Sequence, residues 1–429
     1  MDKPKVNNQH PDYADKQAKR DVFDAVKGGT DSIRKGGKKW LDKYDGELDQ
    51  DYEKRLNKAT IDGIVMGGID TLTGQIFADE IDTSGVRIPL EWIENFDNKG
   101  NSLNAFAKMC QIESFDGFAL ILTDMPANNP DLQQAREVYG AEADKTFNMR
   151  PYARLYTANN VINWDFETDP QTHTERLVFL VLRESNQMRV NRFEYKDIVR
   201  YRVYELLNNV VTWQLYEEKK KGNDIEFVLI ASGILSNKTE IPYATVGDFC
   251  DDPKLLAESR LEMKAYEKES SFDVCEYYQI PTLWTKGYEK EKNGRLMVGA
   301  ASHIELPDSP DADVGYLQLD AAGHASLKAT IDGIKSTIES RINQYVNEAV
   351  DKTATESIIE SKDKKARLVV WADDLKNAIN KTLRHFGDFA GIADVGTVEL
   401  NTSWKVKAEA VSVEGGMQTK AEQPKEMVM

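Results

Sequence analysis

Residue types able to do chemistry are present in this chain, but not at the spacings that chemistry requires. The five histidines, His10, His173, His303, His324 and His385, are scattered. None sits in the H-E-x-x-H pattern that sets two imidazoles on one helical face for zinc. The basic run RKGGKK, Arg34 to Lys39, invites a phosphate-cradling loop. That loop, G-x-x-x-x-G-K-[ST], fails here because the chain has Ser32 where it needs Gly and Lys39 where it needs Ser or Thr. Asp311-x-Asp313 hints at calcium, yet its loop carries Pro310 and has neither the sixth-position Gly nor the twelfth-position Glu. Cys110, Cys250 and Cys275 are odd in number and share no C-x-x-C spacing, which points to reduced thiols. Neither G-x-S-x-G nor G-x-G-x-x-G occurs, and no carboxylate pair has motif spacing beyond chance. The expectation is a non-enzyme with no cofactor and no metal, a DNA-processing enzyme being the weaker alternative.

The balance of 55 Lys+Arg against 72 Asp+Glu leaves a net charge of -17. Such a surface opposes tight general binding to a phosphate backbone but lets a duplex slide past without sticking. With 429 residues and 41% hydrophobic content, the chain can bury two or three cores at about 150 residues per domain. No apolar run reaches the roughly 18 to 20 residues of a membrane span, and the start MDKPKVNNQH lacks a signal-peptide core. The reading is cytosolic, with no membrane partner.

Residues 1–50 read as a mobile polar arm with short helices. Tyr52 to Phe77 has helical periodicity, with Gly63, Gly67 and Gly74 signalling close backbone approach or a break. Ser102 is a candidate N-cap for a helix burying Leu103, Phe106, Ala107 and Cys110; Gly117 ends it, and FALILT follows as a buried strand. Between 150 and 245 the composition turns β-branched and aromatic, and Asn208-Asn209 is a hairpin signal. A long helix is expected from Asp252, as cap, and Pro253, as first helical residue, to Pro281, with a narrow seam of Leu256, Met263, Tyr266, Ser270, Val274 and Tyr277. PTLWTKG and LMVGAASHIELPD read as strands, and DSPDADVGY as a loop.

From Leu327 the stripe Leu327, Ile331, Ile334, Ile338, Ile342 and Val346 is built for burial. The opposite side is small and uncharged at Ala329, Gly333, Ser336, Ser340 and Gln344, with Lys328, Asp332, Lys335 and Glu339 between the faces. Surface helices usually point long charged side chains outward, so the small face suggests that something large passes or packs there, the plainer alternative being another helix. In TATE, Thr353 precedes Glu356 by the S/T-x-x-E capping-box spacing, so VDKTATESI is a corner at which a second helix starts. That helix carries Ile358, Trp371, Leu375, Ile379, Leu383 and Phe386, and the residues after Gly391 read as a flexible tail.

The order of parts resembles the portal proteins of tailed bacteriophages, the head-to-tail connectors. The residues carrying the resemblance are Tyr52/Arg55/Ala59, Gly100/Ser102/Leu103, Gly117/Ile121/Leu122/Asp124, Ile162/Asn163/Trp164, Ile241/Pro242, Pro281 to Trp284, and Thr353 to Glu356. The resemblance implies an α+β portal-like fold with a helical and β wing, a β-containing clip, a long stem helix and a kinked channel-lining helix. Laid on this chain, it divides as arm 1–50, wing 51–150, β-rich wing or clip 151–249, stem 250–280, wing strands and tunnel loop 281–326, channel helix 327–352, C-terminal helix 353–395 and tail 396–429. It further implies a homo-oligomeric ring, usually of twelve subunits, at one capsid vertex of the virion, assembled in the host cytoplasm. The implied partners are other copies of the chain, the terminase large subunit, a head-tail adaptor, the major capsid and scaffolding proteins, and double-stranded DNA passing without sequence specificity. Lys328, Asp332, Gly333, Lys335, Ser336, Glu339 and Ser340 are the expected channel-facing residues, with Lys328 and Lys335 toward phosphates and Thr353 and Glu356 as the corner cap. Another virion structural protein, such as a head-closure adaptor, is the alternative.

Overall fold

Alternation between valine-, isoleucine- and tyrosine-rich runs and amphipathic runs gives a mixed α and β fold, described by a computed structural model over residues 5–126, 130–170, 173–222, 224–235, 238–279, 282–286, 310, 312–317, 321–346 and 354–400. The early helices are α1 (Pro11–Lys27), α2 (Gly29–Gly36), α3 (Asp49–Lys58), α4 (Ile64–Ile76), α5 (Leu90–Glu94) and α6 (Leu103–Glu113). Strand β1 (Ala119–Asp124) and helices α7 (Pro130–Tyr139) and α8 (Ala141–Thr146) follow. Next come β2 (Tyr152–Thr157), β3 (Val161–Thr168), β4 (Glu175–Arg189), β5 (Tyr195–Leu207), β6 (Val210–Lys221), β7 (Asp224–Leu235) and β8 (Tyr243–Val246). The described chain ends with α9 (Leu256–Gln279), β9 (Thr282–Lys286), β10 (Asp313–Leu317), α10 (Ala321–Val346) and α11 (Ala354–Ala390). Two compact units draw on distant segments: residues 1–20, 69–254 and 344–429 form one, and residues 21–68 and 255–343 the other.

In the first unit, β3-β4-β5-β6-β7 is an antiparallel meander and β2-β1-β8 a smaller antiparallel sheet. The β5–β6 turn is the two-residue Asn208-Asn209 loop, both at positive φ (51° and 63°), which matches the twist of the strands that it joins. Phe118, Leu120, Leu122, Tyr156, Leu180, Leu182, Tyr204 and Phe249 share one core. Each such side chain contributes about 1.5–3 kcal/mol when fully buried. Ser102 accepts from the Ala105 N–H at 3.3 Å, and Leu103, Phe106, Ala107 and Cys110 lie buried below it. Helix α11 buries Leu375, Ile379, Leu383 and Phe386, and ends before Gly391 at φ 72°.

Several expectations are corrected. The first fifty residues are not an arm: α1 is a 17-residue helix, Phe23, Val26, Ile33 and Leu41 are buried, and the His10 N–H donates to the Ile162 carbonyl at 2.9 Å. Asp252 does not cap α9, which starts at Leu256; it accepts from Lys16 at 2.5 Å and Lys19 at 2.7 Å. Charges more than two hundred residues away claim its carboxylate before the local helix does. Asp313 to Tyr316 belongs to strand β10, antiparallel to β9, because Val314 and Tyr316 alternate where a loop was expected. Residues 395–400 are packed where a tail was expected: Val395, Val398 and Leu400 are buried, and Asp82 and Glu399 exchange backbone hydrogen bonds. The segments around LMVGAASHIELPD and Asp311, residue Thr353, and residues 401–429 lie outside the described residues.

His385 of α11 offers a pH test of this unit. Its ring is buried; Nε2 contacts the Tyr243 carbonyl at 3.2 Å, and Nδ1 lies 3.8 Å from Glu240 and 3.9 Å from Asp388. Burial holds its pKa below the ordinary 6.5, reinforced by Lys381, with Glu240 opposing. The unfolded chain therefore takes up a proton first as pH falls through 6.5, and the fold loses stability from there down to the folded-state value. His385→Gln is expected to flatten denaturation midpoints between pH 7 and 5; an unchanged slope would remove His385 as the cause.

Candidate channel-facing helix

The second unit is organised around α9. Its buried positions, Glu258, Ser259, Glu262, Met263, Ala265, Tyr266 and Ser270, cover a face wider than the narrow seam expected. Glu262 explains one polar member. Its carboxylate accepts from the Ile64 N–H at 2.7 Å and the Val65 N–H at 2.8 Å, so a side chain distant in sequence satisfies the free amides that start α4. The start itself needs a break, supplied at Gly63 with φ 75°. One turn on, Gly68 lies where a Cβ would come within 2.6 Å of the Ile342 side chain, so α4 and α10 approach closely there.

Helix α10 runs antiparallel to α9, as three pairs show. Phe272 stacks on His324 at 4.0 Å, Glu269 binds Lys335, and Glu258 lies 3.7 Å from Arg341. Of the stripe expected for burial, Ile331, Ile338 and Ile342 are buried, Ile342 beside Gly68 of α4, while Leu327 and Ile334 are half-buried. On the far side Ala329, Gly333, Ser336 and Ser340 are exposed, with exposed Lys328, Asp332 and Glu339 flanking them. Helix α11 begins at Ala354, directly after Thr353.

Lys335 departs from its expected role. Its ammonium is held by both Asp62 and Glu269, neither of them the i, i+4 partner that local spacing suggested. Burial works against the charge, but the two carboxylates prevail and raise the lysine pKa. At Glu269, sharing one lysine with Asp62, burial prevails and the carboxyl titrates above its ordinary range. The raised Lys335 value means that its stabilising contribution is present below pH 10.5 and lost as pH rises through the folded-state value. Lys335→Glu gathers three carboxylates, and a cost of about 1–3 kcal/mol in urea denaturation is expected. Lys328→Glu, at an exposed position, should stay within about 0.5 kcal/mol. Equal costs would overturn the assignment of Lys335 to the α9 side.

A groove of about 980 Å³ in the same unit is lined by Tyr44, Glu47, Lys54, Arg55, Asp273 and Glu276 among others. Its central cation is occupied: Arg55 donates to both Glu47 oxygens at 2.9 Å and to Ser270 at 3.2 Å, under the Tyr44 ring at 4.0 Å. No nucleophile and base meet there, and among the described residues no cluster of three His, Cys, Asp or Glu side chains is placed to hold a metal ion. None of the described helices is long and apolar enough to cross a membrane.

Several of the described residues that carry the resemblance do structural work. Leu103, Ile121, Leu122, Ile162, Trp164 and Ile241 are core, Ser102 is a cap, and Arg55 and Asp124 are in ion pairs. The buried Glu262 was missed by sequence reasoning, although a carboxylate among Leu255, Met263 and Tyr266 on one apolar face was a readable signal. A family model described as a domain of unknown function, DUF4055, matches residues 255–390, from α9 through α11. No curated protein matches the chain.

Proposed function

We propose that this chain is one subunit of a portal ring at a capsid vertex, a conduit for double-stranded DNA during packaging and ejection. The observation that carries the reading is the outward face of α10: a long helix anchored by Ile331, Ile338 and Ile342 exposes Ala329, Gly333, Ser336 and Ser340 instead of a charged canopy. Small side chains let a large smooth body pass or pack closely, and a net charge of -17 gives little counterion-release affinity to slow a duplex. The ordered motifs from Tyr52 to Glu356 support the same reading. In it, α9 is the stem and α10 the channel helix, with Lys328, Asp332 and Glu339 as its exposed charges. ATP hydrolysis belongs to a separate terminase motor, and an adaptor docks below.

Native mass measurement with class averages of negatively stained particles tests this. A closed ring of about twelve copies is expected, and in virions a label on the chain should mark a single vertex. A chain that stays monomeric at every concentration and with its capsid partners would end the proposal. Labelling of the whole shell would favour a capsid component.

A further inference from the structure

Strands β4 and β5 outrun the sheet that they belong to. Strand β3 pairs with β4 only between Glu175 and Leu182, and β6 pairs with β5 only from Arg200 onward. Beyond those limits Ser185–Arg189 and Tyr195–Val199 pair with each other, so the end of the hairpin is a two-stranded arm. Residues 185–197 are exposed throughout, and among them are Met188, Val190, Tyr195 and Phe193, the last at 84% exposure. A two-stranded hairpin is marginal in water by itself, so a cluster of apolar side chains at its tip serves no core of its own.

The tip is held in one shape by local hydrogen bonds. The Val190 N–H donates to the Glu194 carbonyl at 2.9 Å, the Phe193 N–H to the Asn191 side-chain oxygen at 2.9 Å, and Arg189 to the Asn191 carbonyl at 3.1 Å. The Glu194 carboxylate accepts from Asn191 at 2.7 Å, and the Arg192 guanidinium lies 5.2 Å from the centre of the Phe193 ring. Arg189, Arg192 and Lys196 are left with no carboxylate partner among the described residues. An aromatic flanked by arginine and lysine on a pre-formed loop suits docking, because little freedom is lost on binding.

The groove between α3 and α9 carries the complementary chemistry. Tyr44, Leu48 and Val274 give it an apolar wall, with Leu48 68% exposed. Two of its cations are already matched, Arg55 by Glu47 and Lys54 by Asp51. Asp45, Asp273 and Glu276 then face Lys58 alone, and none of the three has an ion-pair partner among the described residues. Burial and the nearby Glu276 push the Asp273 carboxyl above its ordinary range, with Lys58 opposing, and an arriving cation would relieve that cost. Pockets of about 300–1,000 Å³ bury most of a drug-sized ligand, so this groove has room for Phe193 and a flanking guanidinium. Every copy of the chain carries both surfaces. Two different patches that fit from copy to copy make a heterologous contact, which closes into a ring when the rotation allows it.

We infer that the β4–β5 arm of one copy docks in the α3–α9 groove of the next, with Phe193 against Tyr44 and Leu48, and Arg192 and Lys196 against Asp45, Asp273 and Glu276. The inference rests on the multi-copy reading above but needs neither DNA nor a capsid.

Native mass measurement of the full chain over a concentration series tests it. The variants are Arg192→Glu with Lys196→Glu, Asp45→Lys with Glu276→Lys, and all four changes in one chain. Every changed residue is exposed, so the fold is left intact. Each pair of reversals should raise the concentration needed for association about tenfold or more, and the chain with all four should regain most of the loss. A folding defect cannot mimic that recovery. Phe193→Ser, which changes no charge, should weaken association by a similar factor. Association untouched by either reversal overturns the inference and leaves the ring standing. Loss in both without recovery also overturns it and assigns the arm to a different acidic partner. Charge-dependent assemblies that never close into annuli support the contact and end the ring; a parent chain that stays monomeric ends both.

Discussion

Replacing Arg202 by Met is expected to destabilise the first unit by about 3–5 kcal/mol, the usual cost of removing one partner from a buried charge pair. Arg202 on β5 donates to Glu184 on β4 at 2.8 Å and lies 3.8 Å from Asp124 on β1; Arg154 on β2 is 3.2 Å from Asp124 and 3.9 Å from Glu184. Tyr156 adds a hydroxyl to Glu184 at 2.6 Å. Two guanidinium groups and two carboxylates thus neutralise one another between the two sheets. Side-chain exposures of 12% for Arg202 and 11% for Glu184 leave little water to replace a lost partner. Surface pairs are worth at most about 1 kcal/mol, so the size of the loss separates the two situations.

The same group supplies a pH signature. Burial pushes the Glu184 carboxyl up, but Arg202, with the hydrogen bonds it and Tyr156 donate, holds the carboxyl below its ordinary 4.5. Its stabilising contribution is complete above pH 4.5 and disappears as pH falls through the folded-state value. Urea denaturation should show a lower midpoint for Arg202→Met with an unchanged slope, and a smaller further loss when Glu184→Leu is added. A cost under about 1 kcal/mol, or strict additivity of the pair, would show that water already solvates the cluster.

What could be read beforehand follows the range of the interaction. The Ser102 cap and the Asn208-Asn209 turn were legible because cap and turn are decided by residues within three or four positions. The middle of the stripe was legible for the same reason, since helical period alone sorts Ile331, Ile338 and Ile342 inward and Ala329, Gly333 and Ser340 outward, although Leu327 and Ile334 are only half-buried. Asp252 and Lys335 were misjudged because each has an attractive local role but meets a partner distant in sequence. The caps and i, i+4 pairs predicted for them are worth about 0.3–2 kcal/mol at solvated positions. Tertiary packing decides which distant partner each meets, Lys16 and Lys19 for Asp252 and Asp62 and Glu269 for Lys335, and nothing in the sequence shows which that will be. Glu262 is the opposite case, a side chain whose surroundings made no local sense until α4 was placed against it.

Arg55 gives the second large effect. Its guanidinium closes the turn that brings Asp42 to Glu47 against α3 and α9: it donates to both Glu47 oxygens, to Ser270 and to the Asp42 carbonyl, and lies over Tyr44. Side-chain exposures of 4% for Arg55 and 10% for Glu47 make this a desolvated pair. Arg55→Ala is expected to cost about 3–5 kcal/mol, most of it from the stranded Glu47 carboxylate. Arg55→Lys keeps the charge but loses the planar fork, so it cannot satisfy Glu47 and Ser270 together and should recover under half of that. Glu47→Gln combined with Arg55→Ala should be less damaging than the two separate losses added, because no buried charge is left without a partner. The carboxyl of Glu47, lowered first by the hydrogen bond from Arg55, makes the wild-type contribution fade as pH falls through its folded-state value, and Arg55→Ala should abolish that fading. If Arg55→Lys proved as stable as the parent chain, the fork geometry would be irrelevant, and α3 would owe its position to Tyr52 and Leu56 packing alone.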